Sequence, residues 1–145
     1  MTALQSALSN RKLYRDMSAS ASVVAADDYS VTPLRLITCL PGYSIFIQKI
    51  TFSVTVENAS EVRVQSSNAT PVKYAEINAP STEGPHEWDF DEAGVQMAEG
   101  EHLNFSNSAA GMALIVWVQA YMKPTAASLV AKTAGAAAGT FQTTL

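Results

Sequence analysis

Residues 100–124 read GEHLNFSNSAAGMALIVWVQAYMKP, and this stretch predicts a β-hairpin. Its first strand places Leu103 and Phe105 between polar residues, which is the alternation of a half-buried strand. Residues 107–111 are small and turn-forming, so the chain is expected to reverse there. Residues 112–122 then run without a charge and are rich in β-branched and aromatic side chains, which favours a long second strand.

The long second strand is apolar on both faces, so we expect both faces to be covered. Lys123 and Pro124 are expected to end it. One cover is the core of a β-sandwich, and the second is either another chain or the other wall of the sandwich. The first face carries Met112, Leu114, Val116, Val118, Ala120 and Met122. The second face also includes Ala113, and its predicted subunit-contact residues are Ile115, Trp117, Gln119 and Tyr121.

The rest of the body reads as short strands separated by turn residues, with almost no helical pattern. The apolar residues of residues 43–57 change phase near Gln48 and Lys49, which predicts a β-bulge or a passage between sheets. About eight strands are expected, so the predicted fold is an all-β, antiparallel sandwich of the jelly-roll type. An immunoglobulin-like sandwich is the alternative. The expected strands are residues 34–40, 43–57, 61–65, 72–77, 86–90, 95–97, 103–106 and 112–122.

Both ends of the chain differ from this body in composition. Residues 1–32 combine one short helical pattern with a small, uncharged stretch, which predicts an extended N-terminal arm. Residues 125–145 are Ala- and Thr-rich and predict a C-terminal tail, either helical or extended. The sandwich is therefore expected over residues 33–124. Such arms need a surface to lie on, and the predicted capsid-contacting residues are Leu4, Leu8, Arg11, Lys12, Leu13, Tyr14 and Arg15.

Charge is concentrated in one window of the body. The chain has a net charge of −4, and residues 83–101 hold seven of its thirteen acidic side chains and no Lys or Arg. A solvated edge and an acidic patch that docks on a basic partner are both consistent with this window. The absence of a basic stripe argues against direct binding of nucleic acid. The predicted docking residues are Glu87, Asp89, Asp91 and Glu92.

No motif for catalysis, a metal or another cofactor is present in the sequence. Residues 89–94 begin like a calcium loop, but Gly100 stands where the bidentate Glu is required. The two histidines match no compact metal-ligand spacing. Cys39 is the only cysteine, alternates with Ile37, and is expected to be a buried apolar residue. The sequence therefore predicts that the protein is not an enzyme and binds neither a metal nor a cofactor.

The start of the chain lacks the pattern of a signal peptide, and no run of about 20 apolar residues is present. We therefore expect a protein that is made in a reducing cytoplasm and does not enter a membrane. The length predicts a single domain.

Residues 50–56, 62–65, 100–106, 107–111 and 112–121 resemble the strand pattern of tailed-phage head decoration, or cement, proteins with a jelly-roll body. The resemblance covers roughly 60% of the chain and is a style of sequence rather than a diagnostic motif. It implies a virion protein on the capsid surface that binds the major capsid protein, cements neighbouring subunits and forms a homodimer or homotrimer. The alternative hypothesis is a carbohydrate- or receptor-binding sandwich of a phage tail or fibre, with Trp88, Trp117 and Tyr121 as a stacking platform.

Overall fold

A computed structural model describes residues 15–125 of the chain. None of these residues is helical, so the described part contains no helix that could cross a membrane. Ten antiparallel strands form two sheets. The strands are β1 (Arg15–Asp16), β2 (Ala19–Val23), β3 (Leu34–Ile37), β4 (Tyr43–Val56), β5 (Glu61–Ser66), β6 (Lys73–Asn78), β7 (His86–Asp89), β8 (Val95–Gln96), β9 (Leu103–Asn107) and β10 (Ala113–Pro124).

The pairing of the strands is nested, which makes the fold a jelly roll. β2 pairs with β10, β3 with β9, β4 with β7 and β8, and β5 with β6. The larger sheet therefore runs β1/β2–β10–β4–β7/β8, and the smaller sheet runs β3–β9–β5–β6. This is a long antiparallel hairpin, closed at the β5–β6 turn and rolled into two layers. The predicted fold class is confirmed, and the ten strands occupy eight positions.

The core lies between the two sheets and is built from the inward residue of each alternating pair. Phe52 of the larger sheet and Phe105 of the smaller sheet are fully buried and meet edge to face, with ring centroids 6.2 Å apart. Trp88 packs on the other side of Phe52 at 5.4 Å. The first face of β10 belongs entirely to this core, as predicted, from Met112 to Met122. Burial of this continuous apolar layer is the main force that holds the sheets together.

The predicted phase switch in the long strand is confirmed as a β-bulge at Gln48. Gln119 of β10 pairs with Lys49, whereas the next residue, Ala120, pairs with Ile47, so Gln48 has no partner on β10. The extra residue lets apolar side chains on both sides of the bulge point into the same core. β10 ends at Pro124, as expected, although Lys123 and Pro124 are still paired with β4, so the strand extends two residues beyond its predicted end.

The expectation that residues 103–106 form a half-buried strand was wrong. All five residues of β9 are buried, including Asn104 and Ser106. Arg35 Nε donates to Asn104 Oδ1 at 2.9 Å, and Ser106 Oγ donates to the main-chain oxygen of Tyr29 at 3.1 Å. The polar side of β9 is therefore covered by its own chain, which satisfies the hydrogen-bonding groups that it buries.

Residues 15–23, which the sequence analysis assigns to an N-terminal arm, are extended and lie against β10. The pairs Arg15–Met122 and Ala19–Val118 share one register, and Met17 N donates to Ala120 O at 3.0 Å between them. β1 and β2 therefore act as one edge strand of the sandwich. The other predicted arm residues (Leu4, Leu8, Arg11, Lys12, Leu13 and Tyr14) and nearly all of the predicted tail lie outside the described residues.

A candidate interaction surface on the larger sheet

The candidate site is the outer face of the larger sheet, which we call the outer face and define by the outward side chains of β2, β10, β4 and β7. Register places these side chains in rows across the sheet, because antiparallel partners project to the same side. One row runs Ser20, Trp117, Thr51, Glu87, and the next runs Gln119, Lys49, Asp89. The inner side of the same strands forms one wall of the core.

Trp117 lies near the centre of this face and is 44% exposed. Its cross-strand neighbours are Ser20 and Thr51, whose small side chains do not cover the indole ring. The result is a groove of about 420 Å³ beside the ring, lined by Ser18, Ala19, Ser20, Lys49, Thr51, Trp117, Val118 and Gln119. An exposed tryptophan flanked by small polar residues suits contact with a partner surface, since the ring offers a large apolar area and an N–H donor.

Of the four predicted subunit-contact residues, Ile115 and Tyr121 are half-buried, and Tyr121 is held in place by contacts of its own. Its ring stacks on Phe46, with centroids 5.0 Å apart and planes 6° from parallel. Its hydroxyl donates to Ala93 O at 2.6 Å, which ties the β7–β8 turn to the sheet. Lys123 Nζ lies 4.6 Å from the centroid of the Phe46 ring, in cation–π contact. Tyr121 therefore positions the edge of the outer face, whereas Trp117 and Gln119 are exposed on it.

The β7–β8 turn carries part of the predicted acidic patch. Asp89 Oδ1 accepts a hydrogen bond from Asp91 N at 2.9 Å, and Asp91 has a positive φ of 65°. The bulged residue Gln48 donates from Nε2 to Glu92 O at 2.7 Å. Gly94 has a φ of 75°, and a Cβ at this position would lie 2.8 Å from Ile47 O, so a glycine lets the turn approach β4 closely. The bulge that aligns the core thus also holds the acidic turn.

All four predicted docking residues, Glu87, Asp89, Asp91 and Glu92, are exposed on or beside the outer face. Lys49 Nζ forms an ion pair with Glu87 Oε1 at 3.3 Å. Within residues 15–125, no Lys or Arg forms an ion pair with the other three carboxylates. The second groove, of about 340 Å³, is lined by Asp89, Asp91 and Glu92 together with Gln48, Lys49 and Gln119.

The structure brings together two sets of residues that the sequence analysis treated separately. Trp117 and Gln119 come from β10, the acids come from β7 and the turn after it, and Lys49 of β4 lies between them. Sequence reasoning missed Lys49, Thr51 and Ser20 as members of the site. No local signal marks them, because their place depends on which distant strands pair.

The other chemically notable pair, Cys39 and His102, lies in the interior. Cys39 Sγ donates to Tyr43 O at 3.2 Å, and His102 Nδ1 accepts from Cys39 N at 2.9 Å. Burial raises the pKa of the Cys39 thiol, which disfavours the reactive thiolate. The prediction of a buried Cys39 is confirmed. In the described part of the chain, no three His, Cys, Asp or Glu side chains are grouped to hold a metal ion.

No protein-family model and no curated protein matches the sequence. Among solved structures, the chain is similar to the MCP of STIV, a viral capsid protein, at 10% identity with a TM-score of 0.39, covering 74% of this chain and 41% of that one. It is similar to a chain of the virus-like particle of the extra small virus of the giant freshwater prawn Macrobrachium rosenbergii, at 11% identity with a TM-score of 0.37. This match covers 77% of this chain and 80% of that one. The chain is also similar to the Eiger TNF of S. frugiperda, at 14% identity with a TM-score of 0.36, covering 77% of this chain and 94% of that one.

The chain spans less than half of the STIV protein. The three structures belong to proteins with different roles, and each similarity is weak, so none of them assigns a function to this chain.

Proposed function

We propose that this chain is a non-enzymatic structural protein of a virus particle, a head decoration protein of a tailed phage that docks on neighbouring subunits through the outer face. The observation that carries the proposal is the exposed indole of Trp117 at the centre of a face built on the two longest strands. A single domain whose core is filled by side chains gains little from an uncovered tryptophan unless a partner covers it. Tryptophan is also enriched among the residues that dominate binding energy at protein interfaces.

The acidic side chains give this contact an electrostatic rim. Asp89, Asp91 and Glu92 border the outer face without an ion-pair partner within residues 15–125. A partner surface with Lys or Arg at matching positions would be oriented by them, and like-charged surfaces would be rejected. The proposed partners are the major capsid protein, which supplies such a surface, and further copies of this chain in a homodimer or homotrimer.

The terminal segments are proposed to extend the contact beyond the outer face. Arg15 pairs with Met122, and Thr125 N donates to Gly42 O at 2.9 Å, so both terminal segments join the sandwich at the same end. Residues 1–14 and 126–145 are proposed to contact adjacent capsid subunits from there. Many such contacts, repeated over a symmetric shell, would sum by avidity.

The first experiment asks whether the protein is part of the particle at all. Virus particles are purified from the host that carries the gene and their proteins are quantified by mass spectrometry. A copy number that is a fixed multiple of the capsid symmetry supports the proposal. Absence of the chain from intact particles contradicts it.

The second experiment tests the terminal segment. Deletion of residues 2–14 leaves β1 and β2 intact, whereas a deletion that extends to residue 30 would remove a strand of the sandwich. The shorter deletion is expected to give a folded protein. This protein should bind virus shells that lack the native chain less tightly than the full-length chain does. Unchanged binding would remove residues 2–14 from the proposal and leave the outer face as the contact.

A carbohydrate-binding role is the second candidate, and the groove beside Trp117 favours it. Ser18, Ser20, Thr51 and Gln119 surround the indole with hydroxyl and amide groups, a set that suits a sugar stacked on an aromatic ring. A glycan array read out with the purified protein, followed by quenching of tryptophan fluorescence, tests this role. Saturable quenching in the wild type, with glycan-array binding that is lost in Trp117→Ala, would favour it over docking on a protein.

A further inference from the structure

The free edge of the larger sheet is formed by residues 15–23, which pair with β10 in one unbroken register. Met17 N donates to Ala120 O. In the same register, the main-chain N–H and C=O groups of Met17, Ala19, Ala21 and Val23 point towards β10. The N–H and C=O groups of the residues between them must point away from β10, since these groups alternate in direction along a strand. The main-chain groups of Ser18, Ser20 and Ser22 therefore point out of the sheet.

These outward groups have no hydrogen-bonding strand within residues 15–125, because β2 pairs only with β10 there. Natural proteins protect such edges with charged residues or proline. The other edge strands of more than two residues do so: β3 carries Arg35, β6 carries Lys73 and Glu76, and β7 carries Glu87 and Asp89, while the remaining edge strand, β8, has only two residues. Residues 17–26 contain neither a charged residue nor a proline. The edge at β2 is thus the one edge of the described body that is left open to pairing.

We propose that this edge pairs with the same edge of a second copy of the chain, in an antiparallel ladder with Ser20 opposite Ser20 of the second copy. Ser18 then faces Ser22 of the second copy, and Ser22 faces its Ser18. All three serine positions direct their free N–H and C=O groups at each other, so each opposed pair exchanges two hydrogen bonds. The outcome is one continuous sheet across a two-fold axis, and it rests on the homodimer of the proposed function, whose contact it specifies.

The side chains are self-complementary in this register. On the outer side, serine faces serine, which allows hydroxyl-to-hydroxyl hydrogen bonds across the ladder. On the inner side, Ala19 faces Ala21 and Met17 faces Val23, so apolar groups meet at the open margin of the sandwich, where Ala19 and Ala21 are only half-buried. Asp16, at the charged end, falls opposite the uncharged Val24. No like charges oppose each other anywhere in the ladder.

This self-complementarity is the reason to assign the edge to a second copy rather than to a strand of another protein. The ladder also places both outer faces on the same side of the joined sheet, because the two-fold axis of an antiparallel ladder is perpendicular to the sheet. The two Trp117 residues would then be three strand spacings apart, or about 14 Å. A dimer built in this way presents two outer faces at once, which would strengthen binding to a repeated surface by avidity.

The test begins with the mass of the full-length chain in solution, by light scattering over a range of concentrations. A dimer is expected. Ser20→Cys then tests the register: opposed residues in a hydrogen-bonded pair have Cα atoms about 5.5 Å apart, within the range of a disulfide. Mild oxidation should link Ser20→Cys into a covalent dimer, and the buried native Cys39 should not compete.

Ser22→Cys is the matched control on the same strand and the same side. Its counterpart in the second copy would lie about 13 Å away along the ladder, too far for a disulfide. Equal cross-linking of both variants would overturn the proposed register. A mixture of Ser18→Cys and Ser22→Cys chains should cross-link only as a heterodimer.

A charge test separates the edge from the outer face. Ser20→Lys would place two ammonium groups opposite each other and should convert the dimer to monomer, whereas Ser53→Lys, on β4 of the same sheet, should leave the dimer intact. A wild-type protein that stays monomeric at all concentrations overturns the proposal, and so does a dimer that Ser20→Lys leaves intact. Neither outcome affects the proposed docking of the outer face, which is measured by binding to shells.

Discussion

The two sheets of this sandwich treat their polar side chains in opposite ways. On the smaller sheet, Asn104, Ser106 and Asn107 are buried and bonded to Arg35 or to the main chain of residues 27–29. On the larger sheet, the outer face is left open around Trp117. Both sheets share one core, so the difference does not come from the demands of folding.

This difference is consistent with the proposal that a partner covers the outer face. Asn104, Ser106 and Asn107 on the smaller sheet find their hydrogen bonds inside the chain. The outer face of the larger sheet instead exposes an indole and three carboxylates that form no ion pair within residues 15–125. The buried, hydrogen-bonded polar side chains of β9 and the exposed residues proposed to bind a partner thus lie on different sheets.

The largest effect is expected from Trp117→Ala. Removing the central indole should weaken binding to shells by about thirtyfold or more, since a hot-spot residue contributes about 2 kcal/mol or more. The free energy of unfolding should fall by less than the free energy of binding, because Trp117 is already 44% exposed in the free chain. Binding is measured by co-sedimentation and stability by urea denaturation. A stability loss as large as the binding loss would assign Trp117 to the fold instead.

Asn107→Ala should produce the reverse pattern on the smaller sheet. Asn107 is fully buried, its Oδ1 accepts from Tyr29 N at 2.7 Å, and its Nδ2 donates to Asp27 O at 3.2 Å. Losing the acceptor leaves a main-chain N–H without its partner, which costs about 1–3 kcal/mol of unfolding free energy. The matched control is Ser53→Ala on the outer face, which should change stability by less than about 0.5 kcal/mol. Similar losses in both variants would erase the contrast between the sheets.

Neutralising the acidic patch should have a smaller effect, confined to binding. The triple variant Asp89→Asn, Asp91→Asn, Glu92→Gln removes charge with little change in shape. Shell binding should weaken severalfold at low salt and converge with the wild type as salt rises, because exposed charges are screened. A salt dependence identical to that of the wild type would show that these carboxylates face solvent in the particle.

The smallest effect is a pH dependence at His102, on the side of the smaller sheet. Burial, and then the nearby Arg35, lower the pKa of His102 below its ordinary value, against an opposing effect of Glu101. The neutral ring is therefore favoured in the folded protein, and its contribution to stability is fully present above about pH 6.5, the unfolded value. This contribution decreases as pH falls below 6.5 and through the lowered folded pKa.

His102→Asn is the comparison for that measurement. Its Oδ1 can still accept the Cys39 N–H, but the side chain does not titrate. Urea unfolding of both proteins between pH 8 and pH 5 should show the wild type losing more stability than the variant on the acidic side. Parallel curves would remove His102 as the source of the pH dependence.

Much of the fold could be predicted because the alternation of apolar residues is visible within each long strand. The bulge at Gln48 is an example: Ile47 and Ile50 can share a core only if one residue is skipped, and the sequence alone reveals that conflict. The inner face of β10 was predicted for the same reason. A segment with strong alternation of apolar and polar residues has few alternative structures that bury its apolar side chains.

The elements that were missed carry no such signal. Ala19–Val23 contains small residues on both sides, and its extended form is set by pairing with β10, which is nearly a hundred residues away. The buried state of Asn104 and Ser106 depends on Arg35 and Tyr29 reaching them from another part of the chain. The joining of Trp117 with the acidic patch depends on β4 lying between β10 and β7. Non-local register of this kind is not encoded in any short window.

The most direct test of the central claim is hydroxyl-radical footprinting of the protein free and bound to the virus particle. Trp117 on the outer face and Tyr74 on the smaller sheet are compared in the same sample, since both rings are partly exposed and reactive. If the outer face is the docking surface, oxidation of Trp117 should fall severalfold on the particle while oxidation of Tyr74 is unchanged. Protection of Tyr74 with Trp117 still fully reactive would contradict it.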